Sequence, residues 1–199
     1  MLSWYYNLVN TLNTQGYVYY LKTRYPLLKL GSNLKIFGKL LISIHKDSKV
    51  IFGNGIIFRS STKYNFVGIY KPASILVGDK AELIIGHHSG FSGTSIFASK
   101  KIVIGNYCNF GGNTAIWDTD FHPIEYQARR IHDVSQIKNA PVIIGDDVFV
   151  GANSIILKGV TIGDRSIIGA GSVVSKNIPA DEVWAGNPVR FIRKITNGI

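Results

Sequence analysis

The stretch Trp117-Asp118-Thr119-Asp120-Phe121-His122-Pro123-Ile124-Glu125 gathers the side chains best suited to chemistry in this 199-residue chain. One imidazole stands among three carboxylates, and Pro123 stiffens the backbone beside it. A neutral imidazole is the usual general base near neutral pH, and a carboxylate on its second nitrogen fixes the tautomer. A lone loop histidine is also commonly just solvated. The residues alone therefore leave a catalytic and a bland reading of His122 side by side, and the frame around the loop has to separate them.

That frame is a six-residue ladder. From Ile144 the apolar positions Val150, Ile156, Ile162, Ile168 and Val174 follow at intervals of six, and Gly145, Gly151, Gly163 and Gly169 come directly after four of them. Neither the 3.6-residue period of a helix nor the two-residue period of a half-buried strand requires this spacing. A chain that turns a corner every six residues and buries one aliphatic side chain per face does require it, which is the pattern of a hexapeptide-repeat β-helix. The glycines are expected to supply backbone angles closed to other residues. A β-sandwich would instead show strands of uneven length.

Upstream, between Leu34 and Val77, the repeat is ragged. Ile36 and Ile42, Phe52 and Phe58, Ile69 and Ile75, and Val77 and Leu83 are each six apart, with phase slips between pairs that read as bulges or corner insertions. Ile85, Phe91 and Phe97 form one run, and Ile104, Phe110 and Ile116 the next. Then the ladder stops. Residues 118–141 are dense in ionisable side chains, with nine Asp, Glu, Lys, Arg or His, and the interval from Ile116 to Ile144 is not a multiple of six. A long loop that breaks a regular scaffold is uncommon without a functional reason. Ladder residues only pack, so function is expected at interruptions and ends.

Composition agrees with one all-β domain: charged residues are 17%, hydrophobic residues 46% and glycines number 21. The net charge of +10 attracts anions such as nucleic acid, acidic lipid, acidic glycan or a phosphorylated cofactor. The single cysteine, Cys108, excludes an internal disulfide, and no apolar run is long enough to span a bilayer. The N-terminus lacks the basic-then-apolar order of a secretory signal, so a cytoplasmic protein is expected. Residues 1–33 form a separate segment rich in tyrosine, with Leu8, Leu12 and Tyr19 on one helical face, Gly16 interrupting it and Pro26 ending it. It is expected to cap the open end of the solenoid of residues 34–199. Peripheral membrane contact is the alternative for such an aromatic and basic segment.

The ladder, the D-x-D-x-H-P loop and the closing Ala185-Gly186-Asn187-Pro188-Val189-Arg190 together resemble the hexapeptide-repeat acyltransferases. The nearest branch is that of the maltose, galactoside and nodulation acetyltransferases and the O-acetyltransferases of bacterial surface polysaccharides. The resemblance covers nearly everything after the first thirty residues. It implies an all-β, left-handed parallel β-helix assembled as a homotrimer, with acetyl-CoA in a groove between subunits and no metal. It implies His122 as general base, with Asp118, Asp120 and Glu125 to orient it or hold acceptor hydroxyls. The family's pantetheine contacts map onto Ala152, Ala170 and Ser175. Arg190 and Arg193 fall where basic residues meet the CoA phosphates, with Lys176 a weaker match. One departure stands out: Gly90-Phe91-Ser92-Gly93 lacks the asparagine that helps hold the acceptor in the sugar acetyltransferases. The departure and the long N-terminus favour the polysaccharide-modifying branch over a simple galactoside or maltose acceptor.

The expected function is therefore acetyl-CoA-dependent O-acetylation of a sugar hydroxyl on a glycan acceptor during surface polysaccharide assembly. Transfer to an amino sugar nucleotide or to serine is the alternative, followed by a non-catalytic solenoid. A zinc carbonic anhydrase needs two histidines five apart, and His45, His87, His88, His122 and His132 provide no such pair. Nucleic-acid binding ranks last, because the basic residues follow no recognised motif.

Overall fold

The computed structural model describes residues 14–63 and 65–196. Within them the chain coils into a three-faced parallel β-helix. The first face carries Lys29–Leu30, Lys49–Phe52, Glu82–Ile85, Lys101–Ile104, Val142–Ile144 and Thr161–Ile162. The second carries Lys35–Gly38, Ile57–Ser60, Gly90–Ser92, Asn109–Phe110, Phe149–Val150 and Ile167–Ile168, extended by a hairpin of Glu182–Ala185 and Arg190–Lys194. The third carries Leu41–Ile44, Ser74–Val77, Ser95–Ala98, Ala115–Trp117, Ile155–Ile156 and Val173–Val174. Among the described strands every pairing is parallel except that of the terminal hairpin, and an isolated antiparallel bridge joins Thr119 to Asn139 at the neck of the inserted loop.

The ladder stacks as the spacing predicts. Ile144 pairs with Ile162, Val150 with Ile168 and Ile156 with Val174, each three hexapeptides on, and all six are buried. The upstream second face fills the same column with rings: Phe58 stacks on Phe91 at 5.0 Å between centroids, and Phe91 on Phe110 at 4.9 Å. Burying a side chain of this size is worth about 1.5–3 kcal/mol, so the column is a large part of the fold's stability.

The ladder glycines serve packing rather than backbone freedom. A Cβ on Gly151 would lie 2.4 Å from the Ala170 nitrogen, and one on Gly163 would lie 2.4 Å from the Ala180 nitrogen. The left-handed corner positions are held by other residues, among them Asp147, Asn153 and Arg165. Each lies beside a backbone N–H that reaches back to the preceding coil, as Arg165 N does to the Asp146 carbonyl. At the edge between first and second faces, side chains also satisfy backbone donors from coil to coil: Asn54 N donates to His87 Nδ1, His87 N to Asn106 Oδ1, and Asn106 N to Asp146 Oδ1. His87 and His88 therefore sit in a corner turn, with His88 at positive φ stacked on Tyr107.

Four expectations change. Phe97 is not an inward rung: Ile96 and Ala98 point in, because the corner at Gly93 is one residue short and Ile96 pairs with Ile116. Ile69 is not a rung either; it belongs to an inserted loop. Gly16 does not interrupt the N-terminal helix, which runs through it over residues 14–24 and ends before Pro26. That helix puts Leu21 into the core, while Tyr17 Oη donates to the Leu40 carbonyl at 2.6 Å. Leu8 and Leu12 lie outside the described residues. The first strand, Lys29–Leu30, falls inside the segment 1–33, so the solenoid begins earlier than residue 34. No helix among the described residues is long and apolar enough to cross a membrane.

Candidate active site

The loop of residues 118–141 leaves the solenoid at the edge between third and first faces, after Trp117 and before Val142. Asp118 fixes its root. Its side chain is 0% exposed and accepts from the backbone nitrogens of Ser99, Lys100 and Lys101 at 2.6, 2.7 and 2.6 Å. Its carbonyl accepts from Ala140 N, which closes the loop's neck. With all its acceptors committed to backbone, Asp118 is an anchor and not a group that meets substrate, which corrects the sequence expectation.

Two residues on, the chain makes a tight turn. His122 N donates to the Asp120 carbonyl at 2.7 Å, with Phe121 at φ 61. A bulky residue in this region is strained, by about 1–3 kcal/mol, and persists only where neighbours over-determine it. Here two rings do so: Phe121 packs edge-on against Phe97 at 4.8 Å and against Trp117 at 5.4 Å. The outward turn of Phe97 that broke the ladder is thus what holds the residue before His122. The imidazole itself is exposed, with no side-chain partner among the described residues.

Asp120 differs from its neighbours. Its Oδ1 meets Lys158 Nζ at 2.7 Å, whereas its Oδ2 is buried and has no partner. A buried acceptor without a donor is costly unless a ligand or a moving side chain completes it. Glu125 is exposed at the start of the short helix Tyr126–Arg130 and makes no capping bond. Lys158, Phe97 and Trp117 were missed by the sequence reading. Lys158 sits in the turn after the Ile155–Ile156 rung, and nothing local in the sequence links it to Asp120.

A second constellation lies on another edge. Between second and third faces, Gly111, Gly151 and Gly169 stack with no room for a Cβ, and Ala152, Ala170 and Ala185 lie beside them. Ala185 pairs across the hairpin with Arg190, and Val183 with Arg193, so both exposed arginines stand at the end of this smooth strip. Ser175 does not join it; it follows Val174 on the edge that carries Lys158 and the His122 loop, as does Lys176. A single chain therefore keeps His122 and the Ala152–Ala170 strip a whole face apart.

Cys108 is buried, and burial pushes its thiol up to about 11, which removes it as a nucleophile. His45, Asp47 and Asp79 cluster at the surface, but all three are exposed and His45 Nδ1 already accepts from Asp47 N.

Residues 141–176 match the family described as the hexapeptide repeat of succinyl-transferase. The solved structures that resemble the chain include a maltose O-acetyltransferase from Clostridium difficile 630, at 28% identity and TM-score 0.55 over 86% of this chain and 72% of that one. They also include a galactoside acetyltransferase in complex with coenzyme A, at 26% identity and TM-score 0.57 over 89% and 68%. The chain resembles the hexapeptide-repeat acetyltransferases in sequence and in fold. The shared architecture is the left-handed parallel β-helix. The acetyltransferase-like protein YJL218W of Saccharomyces cerevisiae is 44% identical over 101 residues, or 51% of this chain and 50% of that protein. The match thus spans about half the length of that relative.

Proposed function

We propose that this protein is an acetyl-CoA-dependent O-acetyltransferase that acts on a sugar hydroxyl in the assembly of a surface polysaccharide. The observation that carries the reading is the strained turn at Phe121, which presents His122 to solvent from an otherwise regular solenoid. A loop histidine that is merely solvated would not need two aromatic rings to hold its backbone.

The imidazole takes the proton of the acceptor hydroxyl as its oxygen attacks the thioester carbonyl. The tetrahedral intermediate collapses with release of the CoA thiolate, which regains the proton from the imidazolium. Asp120 is the carboxylate best placed to assist, because its Oδ2 is free to accept from an acceptor hydroxyl or from the imidazole. The Ala152–Ala170 strip suits an extended thiol arm, since only methyl groups stand on Ala152 and Ala170, and Arg190 with Arg193 suits phosphates.

The donor strip and the base lie on different edges of one chain, so a complete site needs a second copy. Exposed apolar side chains on the loop support this: Ile131 is 75% and Val134 73% exposed. A homotrimer with each His122 loop laid against a neighbour's strip satisfies both observations. Under this reading His122→Ala loses about 10²-fold or more in thiol release from acetyl-CoA with sugar acceptors, while melting temperature and oligomeric mass hold. Turnover at the wild-type rate would remove His122 from the mechanism. Arg190→Ala with Arg193→Ala raises the Michaelis constant for acetyl-CoA several-fold with kcat nearly constant. A monomeric mass by light scattering would remove the shared site.

A further inference from the structure

The outer surface of the third face carries no charge. Its outward positions are Leu41, Ser43, Ser74, Leu76, Ser95, Phe97, Ala115 and Trp117, continued by Ile155, Leu157, Val173 and Ser175. The first face, by contrast, presents Lys49 and Lys101 on either side of Glu82. On the third face Leu41, Ser74, Leu76, Ser95, Phe97 and Trp117 line an open groove of about 420 Å³.

The two insertions of the chain border this groove. On one side Phe121, the residue before His122, packs on Phe97 and Trp117, two residues that line the groove. On the other side the loop of residues 61–72 descends to Lys71, whose Nζ donates to Ser95 Oγ at 2.8 Å; Ser74 Oγ lies 3.0 Å from the same hydroxyl. Lys71 is half-buried and meets no carboxylate among the described residues. Partial burial holds its ammonium below the ordinary lysine value. A half-buried cation with no carboxylate partner among the described residues, hydrogen-bonded to the single hydroxyl of Ser95, has donors left for an anionic ligand. From Ser95, which holds Lys71, to Phe97, which holds Phe121, is two strand residues, roughly 7 Å along the face.

We propose that the third-face groove is the acceptor site and that Lys71, with Ser95 and Ser74, selects a saccharide carrying a carboxylate or a phosphate. This rests on the acetyltransferase reading and adds to it the charge class of the acceptor. The sugar's anionic group sits against Lys71 and the serine pair, its ring lies along Phe97 and Trp117, and its free hydroxyl faces His122. The overall charge of +10 draws such acceptors in.

The test is calorimetric titration of the full chain, with CoA present, using glucuronate, glucose 1-phosphate and glucose. Wild type binds at least one anion ten-fold or more tighter than glucose, and which anion distinguishes a carboxylate from a phosphate acceptor. Lys71→Met weakens that anion by ten-fold or more, and Lys71→Arg retains it within about three-fold. Binding of neither anion, equal binding of glucose, or an unchanged Lys71→Met would overturn the proposal. So would a change of oligomeric mass in Lys71→Met, which would make the groove a contact between copies. Acetyl-CoA affinity and thiol release measured alongside keep the two readings apart. A wild type that binds the anion through Lys71 but neither binds nor cleaves acetyl-CoA overturns the transferase reading alone.

Discussion

The two insertions interrupt the same solenoid at neighbouring edges, yet one projects and the other lies flat. The loop of residues 118–141 is held at its root by Asp118 and at its neck by the Ala140 bond. Near that root Asp120 also meets Lys158, and Phe121 packs on Phe97 and Trp117. From Pro123 on the loop organises itself: Arg129 donates to the Pro123 carbonyl at 2.9 Å and to that of Ile124, and Ala128 is buried beneath the short helix. The loop of residues 61–72 has no helix or strand among its described residues and is pinned near its middle. Asn113 Oδ1 accepts from Tyr70 N, and its Nδ2 donates to the Gly68 carbonyl and to Asn153 Oδ1. Ile69 lies under it against Gly93 and Gly112, where any Cβ would crowd it. An insertion anchored only at its root can reach toward a second molecule. One pinned by Gly68, Ile69 and Tyr70 is tied down to the coil, and that difference fits the base proposed for the first loop and the groove wall proposed for the second.

Asp118→Ala would break the comparison most severely. Three backbone donors lose a buried acceptor, and a cost of about 3 kcal/mol or more is expected, read as a lowered denaturation midpoint and faster tryptic cleavage at Arg129 and Arg130. A stability within 0.5 kcal/mol of wild type, on the order of a neutral surface change, would show that the loop holds itself without its root. Asn113→Ala comes next, at about 1–3 kcal/mol, because the amide bonds vanish and alanine is disfavoured at φ 61. Its signature is local: cleavage at Lys71 speeds up while cleavage at Arg129 does not. Equal acceleration at both sites would mean that the two loops open together. The smallest stability effect is expected for Phe121→Ala, about 1 kcal/mol from two edge-on ring contacts. Its turnover should nonetheless fall about ten-fold or more, as the His122 turn relaxes. Wild-type turnover with full stability would show that the turn does not position the base.

The sequence carried the solenoid because hexapeptide periodicity is a local signal: each rung from Ile144 to Val174 announces its own burial, and the structure buries all of them. It also carried the interruption at 118–141, since a missing repeat is as local as a present one. Phe97 was misassigned because a one-residue deletion at the Gly93 corner shifts the inward set without disturbing the apolar pattern around it. The three carboxylates near His122 looked equivalent in sequence. Tertiary contacts separated them into an anchor, a half-satisfied partner of Lys158 and an exposed surface group.

By itself, then, the sequence determined the coil, the column that fills it and where the chain departs from it, because these depend on residue type at fixed spacing. Only the tertiary structure decided which polar groups are already spent and which remain free. Asp118 faces the turn at Ser99–Lys101, Asp120 meets Lys158, and Lys71 meets Ser95; each pair joins residues from different coils or loops. Hydrogen bonds between distant segments leave no periodic trace in the chain, and among the described residues those bonds leave His122 and Lys71 without a carboxylate partner.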